Sequence, residues 1–532
     1  MMYIILFLSI TFSQNFLYKS NDWYTVSNPG QVNSISSSYN QIYFCSENGI
    51  YTYDIDTGSL IFELEYLTQL DSSKPVLIHY DEHSDYIWYL NQNSLNYKPR
   101  ISTFWRQVHF NELNIGSYRM INNIGSDYKN VYIDVGHSIL VINQLSGMLE
   151  SNQEDYDYNL IKWSSSSKNK TASSIDLTNY FSFEGYQIIS NDKIEYNGKI
   201  IYINCIYEDQ FHDLWLGTNT GEIFYCDSKM RSIQKINSIP LIVDFNVSYI
   251  DNNEQWWFST NNYIHSNENI ISNHPVFFVH WNEKENLWKN YTKNKFSYIE
   301  SKDITCFNRI DNWLYIGTKK GLIVFDIHDE EWYLFDENSG IKSNYINDIF
   351  YAKNNIYIAT NGGVSVLTTL GNKLFSPYVF DVFDNFQIFK FNKVNDEILI
   401  VSEIGVFEFN YNKNEIDIIS KEKYLNAFYI NDDSLIGMKR NKVFLLSNDK
   451  ELLLSLNKIR NIELCDNFLW LSNYSKAIIL NLEDKNMFEY SHVDGIVGEV
   501  INDLGCDSDW VWFTTNKGFS MYNWSKYHYV EK

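Results

Sequence analysis

The chain has 532 residues, a formal net charge of −24, 17% aromatic residues and only 23 Gly and 6 Pro. This composition excludes the disordered and collagen-like classes, and the length suits two or three domains or one large repeat array. The acidic charge excludes nucleic acid and anionic lipid as partners, because like charges repel and no compact Lys/Arg cluster offsets them.

The sequence begins MMYIILFLSITFSQN, with an apolar segment from Tyr3 to Phe12. About ten apolar residues are too few to span a bilayer core of about 30 Å. Thr11 and Ser13 suit the cleavage site of a signal peptidase, so the sequence predicts a signal peptide over residues 1–14 and an exported, periplasmic or cell-surface protein. Because no Lys or Arg precedes the apolar segment, a buried first strand is the alternative. No integral membrane segment is expected after cleavage.

The next feature along the chain is a β-hairpin that recurs. Each copy has an alternating apolar run, a turn that most often ends in Gly, and a second alternating run. The turn T-x-x-G suits a hairpin in which Gly adopts a positive φ angle. The copies are QIYFCSENGIYTYD (41–54), YIWYLNQNSLNY (86–97), NVYIDVGHSILVIN (130–143), a very weak NYFSFEGYQII (179–189), DLWLGTNTGEIFYCD (213–227), QWWFSTNNYIHS (255–266), NWLYIGTKKGLIVFD (312–326), NIYIATNGGVSVL (355–367), EILIVSEIGVFEFN (397–410), SLIGMKRNKVFLL (434–446), FLWLSNYSKAIILN (468–481) and DWVWFTTNKGFSMYN (509–523).

Two further runs accompany the hairpins and complete a unit of four short strands. Such units, without helical periodicity, predict eleven or twelve four-stranded antiparallel sheets. A short apolar run precedes the hairpin in VNSI (32–35), INCI (203–206), ITCF (304–307), INDI (346–349) and INDL (501–504). An aromatic-led strand follows it in FWRQVHF (104–110), EWYLF (331–335), MFEYS (487–491) and KYHYV (526–530).

Small and large residues alternate on one face of the hairpin, which predicts that each sheet packs closely against a neighbour. The sequence therefore predicts an all-β fold of tandem β-propellers, in which radial stacking covers both faces of every sheet. A β-solenoid is the structural alternative. The small residues are Cys45, Gly217, Ser259, Gly317, Ala359, Ser472 and Thr514, and the large ones are Tyr43, Trp215, Trp257, Tyr315, Tyr357, Trp470 and Trp512.

Eleven or twelve units exceed one propeller of about four to eight blades. Because the longest spacing between hairpins falls between Ser259 and Gly317, we expect a first propeller over 15–290 and a second over 291–532. DWYTV (22–26) resembles the aromatic-led strands, so we also expect the N-terminal strand to pair with a later blade.

The six cysteines are too widely spread for a small disulfide scaffold, and no C-x-x-C supports a zinc site. Several occupy repeat positions that other units fill with Gly, Thr or Asp. The sequence therefore predicts buried free thiols. These residues are Cys45, Cys205, Cys226, Cys306, Cys465 and Cys506.

The units resemble the two-component regulator propeller repeat, whose pattern is roughly L-W-I-G-T-x-x-G-L-x-x-F-D. LYIGTKKGLIVFD (314–326) is nearly a consensus copy, LWLGTNTGEIFYCD (214–227) is close to it, and GIKSNYIND (340–348) matches an associated element. The resemblance implies a periplasmic ligand-binding sensor domain. The opening DWYTV with QIYFCSENGIYTYD is also similar to the two-propeller surface component of type IX secretion, which implies a scaffold in a cell-surface machine.

The sequence shows no G-x-S-x-G, Walker loop or H-E-x-x-H, so no catalytic residue, metal site or cofactor is predicted. The enzymatic alternative is a propeller lyase of the streptogramin-lyase type, which would need a His and an acidic metal-holding group near the ring centre. The innermost runs offer Asn and Asp instead. His137, His212 and His265 sit in or beside hairpins, where surface positions are expected.

Asn33, Asn204, Asn347 and Asn502 recur where the chain enters the innermost strand, at the mouth of the central channel. They are the candidate ligand-binding residues. The alternative is that each side chain caps its own turn by bonding local backbone.

Three functions stay open. The first is an exported, non-enzymatic, sensor-like binding module for an extracytoplasmic ligand or an envelope protein partner. The second is the secretion scaffold, and the third is the lyase. A small polar pocket at the channel mouth would favour the first, a broad exposed apolar patch the second, and a His among carboxylates in the channel the third.

Overall fold

The computed structural model describes residues 22–528 except 64–72, 103, 154–159, 168–175, 183–184, 197–198, 237–243, 262–275, 286, 292–294, 370–372, 395–396, 432–433 and 447–449. These residues form eleven β-sheets, and every pairing is antiparallel except that of one two-residue strand. The all-β prediction of four-stranded propeller blades is confirmed. The predicted signal peptide over 1–14 lies outside the described residues.

Seven consecutive sheets, which we call the ring, occupy the C-terminal part of the chain. Their strands are β23 (Phe245–Ile250), β24 (Gln255–Thr260), β25 (Phe278–Asn282), β26 (Leu287–Tyr291), β27 (Ile304–Ile310), β28 (Trp313–Thr318), β29 (Gly321–Asp326), β30 (Trp332–Phe335), β31 (Ile346–Ala352), β32 (Asn355–Thr360), β33 (Gly363–Thr368), β34 (Lys373–Phe375), β35 (Ile388–Val394), β36 (Glu397–Ser402), β37 (Gly405–Asn410), β38 (Glu415–Ser420), β39 (Asn426–Asn431), β40 (Ser434–Lys439), β41 (Lys442–Leu446), β42 (Lys450–Ser455), β43 (Asn461–Cys465), β44 (Phe468–Ser472), β45 (Ala477–Asn481), β46 (Met487–Tyr490), β47 (Ile501–Cys506), β48 (Trp510–Thr515) and β49 (Gly518–Asn523).

The seven sheets close on themselves through hydrophobic clusters, each of which joins two successive sheets. The cluster that closes the cycle packs Phe258 of β24 and Trp281 of β25 against Phe519 of β49. Burying both faces of every sheet in this way removes apolar surface from water on all sides, which stabilises the ring.

The N-terminal strand β1 (Trp23–Ser27) forms the fourth strand of the last ring sheet, antiparallel to β49. Trp23 is buried, and its indole stacks on Tyr522 with the ring centroids 4.7 Å apart. The predicted pairing of DWYTV with a later blade is confirmed by this strand. The ring is thus closed by hydrogen bonds between the two ends of the chain.

The four remaining sheets, with the strands attached to them, lie between β1 and β23 in the sequence, and we call them the inserted unit. Their strands are β2 (Val32–Ser37), β3 (Gln41–Ser46), β4 (Gly49–Asp54), β5 (Ser59–Phe62), β6 (Leu77–Asp81), β7 (Tyr86–Leu90), β8 (Ser94–Pro99), β9 (Arg106–His109), β10 (Asn123–Ser126), β11 (Asn130–Asp134), β12 (Ile139–Asn143), β13 (Leu149–Gln153), β14 (Lys162–Trp163), β15 (Ser165–Ser166), β16 (Phe181–Ser182), β17 (Tyr186–Ser190), β18 (Lys193–Tyr196), β19 (Lys199–Glu208), β20 (Leu214–Thr218), β21 (Ile223–Asp227) and β22 (Ser232–Lys235).

In the inserted unit the sheet of β19–β22 packs on that of β2–β5, which packs on β6–β9, which packs on β10–β13. A short segment runs between the sheet of β10–β13 and the sheet of β2–β5. Its strand β14 pairs with the inner strand β10, and its strand β15 pairs with the inner strand β2. This segment, which we call the bridge (161–167), therefore joins two inner strands at the centre of the unit.

The helices of the described residues are short and lie outside the sheets. The 3₁₀ turns are Tyr118–Met120, Leu177–Asn179, Ser301–Asp303, Glu337–Ser339 and Tyr378–Phe383, and the α-helix α1 spans Ser525–His528.

The recurring turn has a common hydrogen bond that explains its T-x-x-G sequence. Thr318 Oγ1 donates to the carbonyl oxygen of Gly321 over 2.7 Å, and Thr360 does the same to Gly363 over 2.8 Å. Gly321 has φ 131°, as predicted, and a Cβ there would lie 2.7 Å from the carbonyl oxygen of Phe335 in the outer strand. Any larger residue would therefore displace the fourth strand.

The predicted close approach of neighbouring sheets is also visible at the small positions. A Cβ on Gly217 would lie 2.5 Å from Cγ1 of Val32 in the next sheet, and one on Gly317 would lie 2.9 Å from Cγ2 of Ile346. These contacts show why the residue at this position is small while the neighbouring Trp215 and Tyr315 fill the core.

Three expectations about strands are corrected. The weak copy at 179–189 is not a sheet of its own, because β17 and β18 form a hairpin that extends the sheet of β19. The partner of β24 is β25 at Phe278–Asn282, and the predicted partner at 263–266 lies outside the described residues. KYHYV (526–530) does not begin as an outer strand: its described residues belong to α1, because β1 already occupies the edge of β49.

The sheet Phe245–Tyr291 packs against β27–β30 on one side and against β47–β49 on the other. The predicted division at residue 290 would separate it from both neighbours. We therefore propose that the boundary between the inserted unit and the ring lies within 236–244.

One disulfide corrects the prediction of free thiols. Cys465 at the end of β43 is bonded to Cys506 at the end of β47, so the bond joins the inner strands of two adjacent sheets. Cys45, Cys205 and Cys226 are buried and form no disulfide, as the sequence predicts, and Cys306 is partly buried and forms none either.

Candidate functional site

The predicted asparagines connect one sheet to the next. Asn347 Nδ2 donates to the carbonyl oxygen of Ile388 over 2.7 Å, and Asn502 Nδ2 donates to that of Phe245 over 2.8 Å. Each acceptor is the first residue of the next inner strand. Both bonds therefore cross between blades, whereas the alternative interpretation expected a bond to the local turn.

The remaining two candidates lie in the inserted unit. Asn204 Nδ2 is 3.4 Å from the carbonyl oxygen of Val32, which is the same contact to the next inner strand. The carbonyl oxygen of Asn33 accepts a hydrogen bond from the backbone N–H of Ser167 in the bridge. Asn33 and Asn204 thus lie on adjacent sheets, while Asn347 and Asn502 are in the ring. Their role in binding a ligand stays a prediction.

The residue after the asparagine makes a second bond between blades. Asp348 Oδ2 accepts from the backbone N–H of Phe391 over 2.9 Å, and Asp503 Oδ2 accepts from that of Ser248 over 3.0 Å. In the sequence I-N-D, the Ile fills the core, the Asn donates to the next strand and the Asp accepts from it. This repeated set of bonds fixes the spacing of the inner strands around the channel.

A cavity of about 280 Å³ opens at the end of the inserted unit where the chain enters the inner strands β2, β6 and β10. Three sheets contribute residues just before or at the start of β2, β6 and β10, the bridge contributes two serines, and two hairpin turns contribute Glu47 and Gln92. The lining residues are Gln31, Asn33, Glu47, Lys74, Pro75, Val76, Leu77, Gln92, Tyr118, Ile121, Asn122, Ser166 and Ser167. Asn33 is therefore the one predicted residue that lies in this cavity.

The polar groups of this cavity are mainly amides and hydroxyls. Lys74 and Glu47 carry opposite charges and form an ion pair with each other. Ser166 Oγ donates to the carbonyl oxygen of Asn122 over 2.8 Å, which fixes the bridge against the wall. The cavity thus presents neutral donors and acceptors on a fixed frame, the arrangement that orients a small polar ligand.

Beneath the cavity, a buried histidine connects the bridge to two inner strands. His79 Nδ1 lies 2.7 Å from Ser164 Oγ of the bridge, and its Nε2 lies 2.8 Å from Ser126 Oγ of β10. Ser126 Oγ in turn donates to Asp81 Oδ1 over 3.1 Å. Burial, reinforced by the positive charge of Lys162, lowers the pKa of His79 to about 3, so the imidazole is neutral at physiological pH.

Sequence reasoning missed His79, although LIHYD (77–81) has the length of an inner strand and precedes the hairpin at 86–97. The side chain is 1% exposed and faces hydroxyls, so a substrate does not reach it in this structure. His137 and His212 are exposed, as predicted, and His265 lies outside the described residues.

The channel of the ring contains a different charged group. Lys390 Nζ of β35 is 2.8 Å from Glu463 Oε1 of β43, and this pair spans the intervening sheet, which has Ala427 on its inner strand. Burial raises the pKa of Asp348 and of Asp503. Burial acts against the charge of Lys390, but the carboxylates of Glu463 and Asp348 raise its pKa. One lysine therefore balances three acidic residues at the ring centre.

The described ranges contain neither a metal-binding cluster nor a membrane-spanning helix. No three His, Cys, Asp or Glu side chains there are grouped so that they could hold a metal ion. No helix within those ranges has both the length and the apolar character that crossing a membrane requires.

Comparison with known proteins gives one family match and several structural likenesses. Residues 197–220, which include all of β19 and β20, match the family model "Two component regulator propeller", in agreement with the predicted resemblance. A comparison with the curated proteins gives no match.

Three solved structures illustrate the structural likeness. The extracellular domain assigned to the hybrid two-component system BT4673 of B. thetaiotaomicron is 13% identical with a TM-score of 0.41, and the match covers 93% of this chain and 70% of that one. The extracellular domain of BT3049 from the same organism is 12% identical with a TM-score of 0.33, and the match covers 93% of this chain and 82% of that one. PorZ, a surface component of the type IX secretion system of Porphyromonas gingivalis, is 11% identical with a TM-score of 0.41, and the match covers 93% of this chain and 74% of that one.

Proposed function

We propose that this protein is an exported, non-enzymatic binding module that recognises a small polar ligand at the channel mouth of its inserted unit. The observation that carries the proposal is the cavity of about 280 Å³ lined by Asn33, Asn122 and the bridge. It lies at the end of the blades where the sequence predicts ligand binding, and its polar lining is the feature expected of a sensor-like propeller.

The lining indicates the chemistry of the ligand. Gln31, Asn33, Gln92 and Asn122 supply amides that both donate and accept, and Ser166 supplies a hydroxyl. Because Lys74 and Glu47 neutralise each other, the cavity does not favour a strongly charged molecule. A neutral ligand with several hydrogen-bonding groups fits this surface best.

Export is supported by the disulfide between Cys465 and Cys506, since such bonds persist in oxidising compartments and are rare in the cytosol. The predicted signal peptide over residues 1–14 agrees with the same location. We propose a periplasmic or cell-surface site of action, where a separate envelope or membrane protein acts as partner.

Exposed apolar side chains at the opposite end of the inserted unit favour a second candidate function, that of a secretion scaffold. The turns after each inner strand and after each third strand meet at that end, because the sheets are four-stranded and antiparallel. They expose large apolar side chains, and two of them, Tyr39 and Phe211, contact each other with ring centroids 5.8 Å apart. The exposed residues are Tyr39, Ile101, Phe104, Tyr128, Leu145, Met148, Phe211 and Met230.

Binding at the cavity is tested by a thermal-shift screen of small neutral metabolites, followed by calorimetry, on the wild-type protein and on Gln92→Trp. The indole would fill the mouth from its hairpin turn. Asn441→Trp, in the equivalent turn of β40–β41, is the matched control. We expect saturable binding that Gln92→Trp removes and Asn441→Trp retains. Binding that both variants retain would place the ligand elsewhere, and no binding to the wild type would contradict the proposal.

The partner is tested by crosslinking a tagged copy in cells and identifying the captured proteins by mass spectrometry. Recovery of a histidine kinase or other membrane receptor would support the sensor function. Recovery of outer-membrane secretion proteins, reduced by Tyr39→Ser with Phe211→Ser, would support the scaffold instead.

A further inference from the structure

A second cavity, of about 320 Å³, lies between the first two ring sheets, at the end opposite the strand entries. It is bordered by the turn between β23 and β24, the end of β25, the end of β27 and the residue after β29. The lining residues are Asn253, Gln255, Trp257, His280, Asn282, Arg309 and Ile327. None of them belongs to the mouth cavity of the inserted unit, so this cavity is a separate candidate site.

Two aromatic rings, whose planes are inclined by 30° to each other, form one wall. The imidazole of His280 lies over the indole of Trp257 with the centroids 4.3 Å apart. Trp257 Nε1 donates to Asp251 Oδ2 over 3.1 Å, and His280 Nε2 is 3.0 Å from Gln255 Oε1. These bonds fix the orientation of both rings. Burial, with the nearby charge of Arg309, lowers the pKa of His280 to about 4, so this ring is neutral at physiological pH.

Arg309 forms the adjacent wall as a second planar group. Its Nη1 is 2.6 Å from Asp251 Oδ2, and its Nε donates to the carbonyl oxygen of Asp311 over 2.9 Å. The guanidinium carbon is 5.9 Å from the centroid of the Trp257 ring. Because the buried carboxylate of Asp251 already balances its charge, Arg309 offers a flat surface with little attraction left for an anion.

The cavity edge is polar and neutral. Asn253, Gln255 and Asn282 place amide groups around the aromatic wall, and Ile327 adds an apolar contact. Planar heterocycles are recognised by this combination, because their faces stack on aromatic rings or guanidinium groups and their edges pair with the donor and acceptor of an amide.

We propose that this cleft between the first two ring sheets is a binding site for a small, uncharged, planar nitrogen heterocycle of the nucleobase or nucleoside class. The ring system would stack on the wall of His280 and Arg309, and its edge would pair with the amides of Asn253 and Asn282. The site is independent of the proposed function at the mouth cavity, since the two share no residue.

The test is titration calorimetry of the full chain with adenosine, guanosine and uridine as probes. AMP and methyl α-glucoside serve as a charged and a non-planar comparator. Asn253→Trp would fill the mouth of the cleft while retaining the backbone bonds of this exposed turn residue. Ser508→Trp, in the corresponding turn between β47 and β48, is the matched control. His280→Ala removes the stacking ring, and circular dichroism with a thermal melt shows whether each variant is folded.

We expect at least one nucleoside to bind saturably, AMP to bind no more tightly than adenosine, and the glucoside not to bind. Asn253→Trp is expected to weaken nucleoside binding about ten-fold or more, while Ser508→Trp leaves it unchanged. Tighter binding of AMP would overturn the assignment to uncharged ligands, and binding of the glucoside would overturn the planar class. If no nucleoside binds the wild type, or if folded Asn253→Trp binds as the wild type does, the site is refuted.

Discussion

Asn502 Nδ2 donates to the carbonyl oxygen of Phe245 over 2.8 Å, although 257 positions separate the two residues in the chain. The bond joins the last inner strand of the ring to the first. Together with the bond that Asp503 accepts from the backbone N–H of Ser248, it completes the cycle of contacts between blades.

Replacing this asparagine should weaken the closure of the ring. We expect Asn502→Ala to lower the free energy of unfolding by about 1–2 kcal/mol, because the carbonyl of Phe245 loses its donor in a partly buried place. Urea unfolding of the purified protein measures the change. Asn412→Ala, at an exposed turn, is the control and should have no measurable effect. Equal stability of the two variants would contradict a role in closure.

The N-terminal strand should contribute more than any single polar bond. Trp23 is 8% exposed and packs against Tyr490, Phe513 and Tyr522. We expect Trp23→Ala to cost about 3–5 kcal/mol, because it leaves a cavity between the last two ring sheets. Phe104→Ala, whose side chain is 74% exposed, should change stability by less than about 0.5 kcal/mol. Thermal and denaturant unfolding of both variants would show the difference, and similar losses would contradict it.

The charged group in the ring channel should make stability depend on pH once its lysine is removed. Lys390→Met leaves Glu463, Asp348 and Asp503 without their cation. We expect a loss of about 1–3 kcal/mol at pH 7, below that for a fully buried pair because the lysine side chain is 36% exposed. Lys393→Met, at an exposed position of the same strand, is the matched control.

The sign of the pH effect follows from the two aspartates. Burial raises the pKa of Asp348 and of Asp503 in the folded state, so the folded protein binds more protons than the unfolded chain as the pH falls. The charge of Lys390 opposes this rise in both pKa values, so its removal strengthens the effect. The free energy of unfolding of Lys390→Met should therefore rise between pH 7 and pH 5 relative to that of the wild type. Urea unfolding at both pH values tests this, and a variant whose deficit is the same or larger at pH 5 would contradict it.

The disulfide should stabilise the ring under oxidising conditions. Cys465 and Cys506 close a loop with a sequence separation of 41, for which chain-entropy reasoning gives an upper value of about 4 kcal/mol. We expect a reductant to lower the melting temperature of the wild type. The double variant Cys465→Ala with Cys506→Ala should melt at the lower temperature with or without reductant. A wild type that is insensitive to reductant, despite thiol titration showing reduction, would exclude a stabilising role.

Much of the fold could be predicted because most residues of the repeat pattern pack in the core between sheets. The hairpin at 312–326 forms β28 and β29, and DWYTV pairs with the last sheet as expected. The errors have physical causes. KYHYV has the pattern of an outer strand, but that edge is already filled by β1. The second hairpin strand of the first ring sheet begins only at Phe278, beyond a long interruption that hides the repeat.

The candidate sites were less predictable, because the side chains that line them come from positions outside the repeat pattern. Asn33 could be placed at the channel mouth, since it occupies a recurring position. The bridge could not be predicted as part of the site, because Ser164 and Ser166 occur in a serine-rich segment that has the composition of a loop. Nothing in the sequence indicates that Arg309 and Asp251 would pair beside Trp257.

The pairing of β1 with β49 also determines when the ring can assemble during synthesis. The first of these strands is synthesised before its partner, which emerges only after all the strands from β2 to β48 have followed. The inserted unit is synthesised after β1 and before the first ring sheet, so it can fold before the ring does. Until the last sheet is made, β1 has no partner, because the edge that it covers belongs to that sheet. A fragment that starts after Ser27 would therefore present that edge to other chains, where strands add to one another and aggregate.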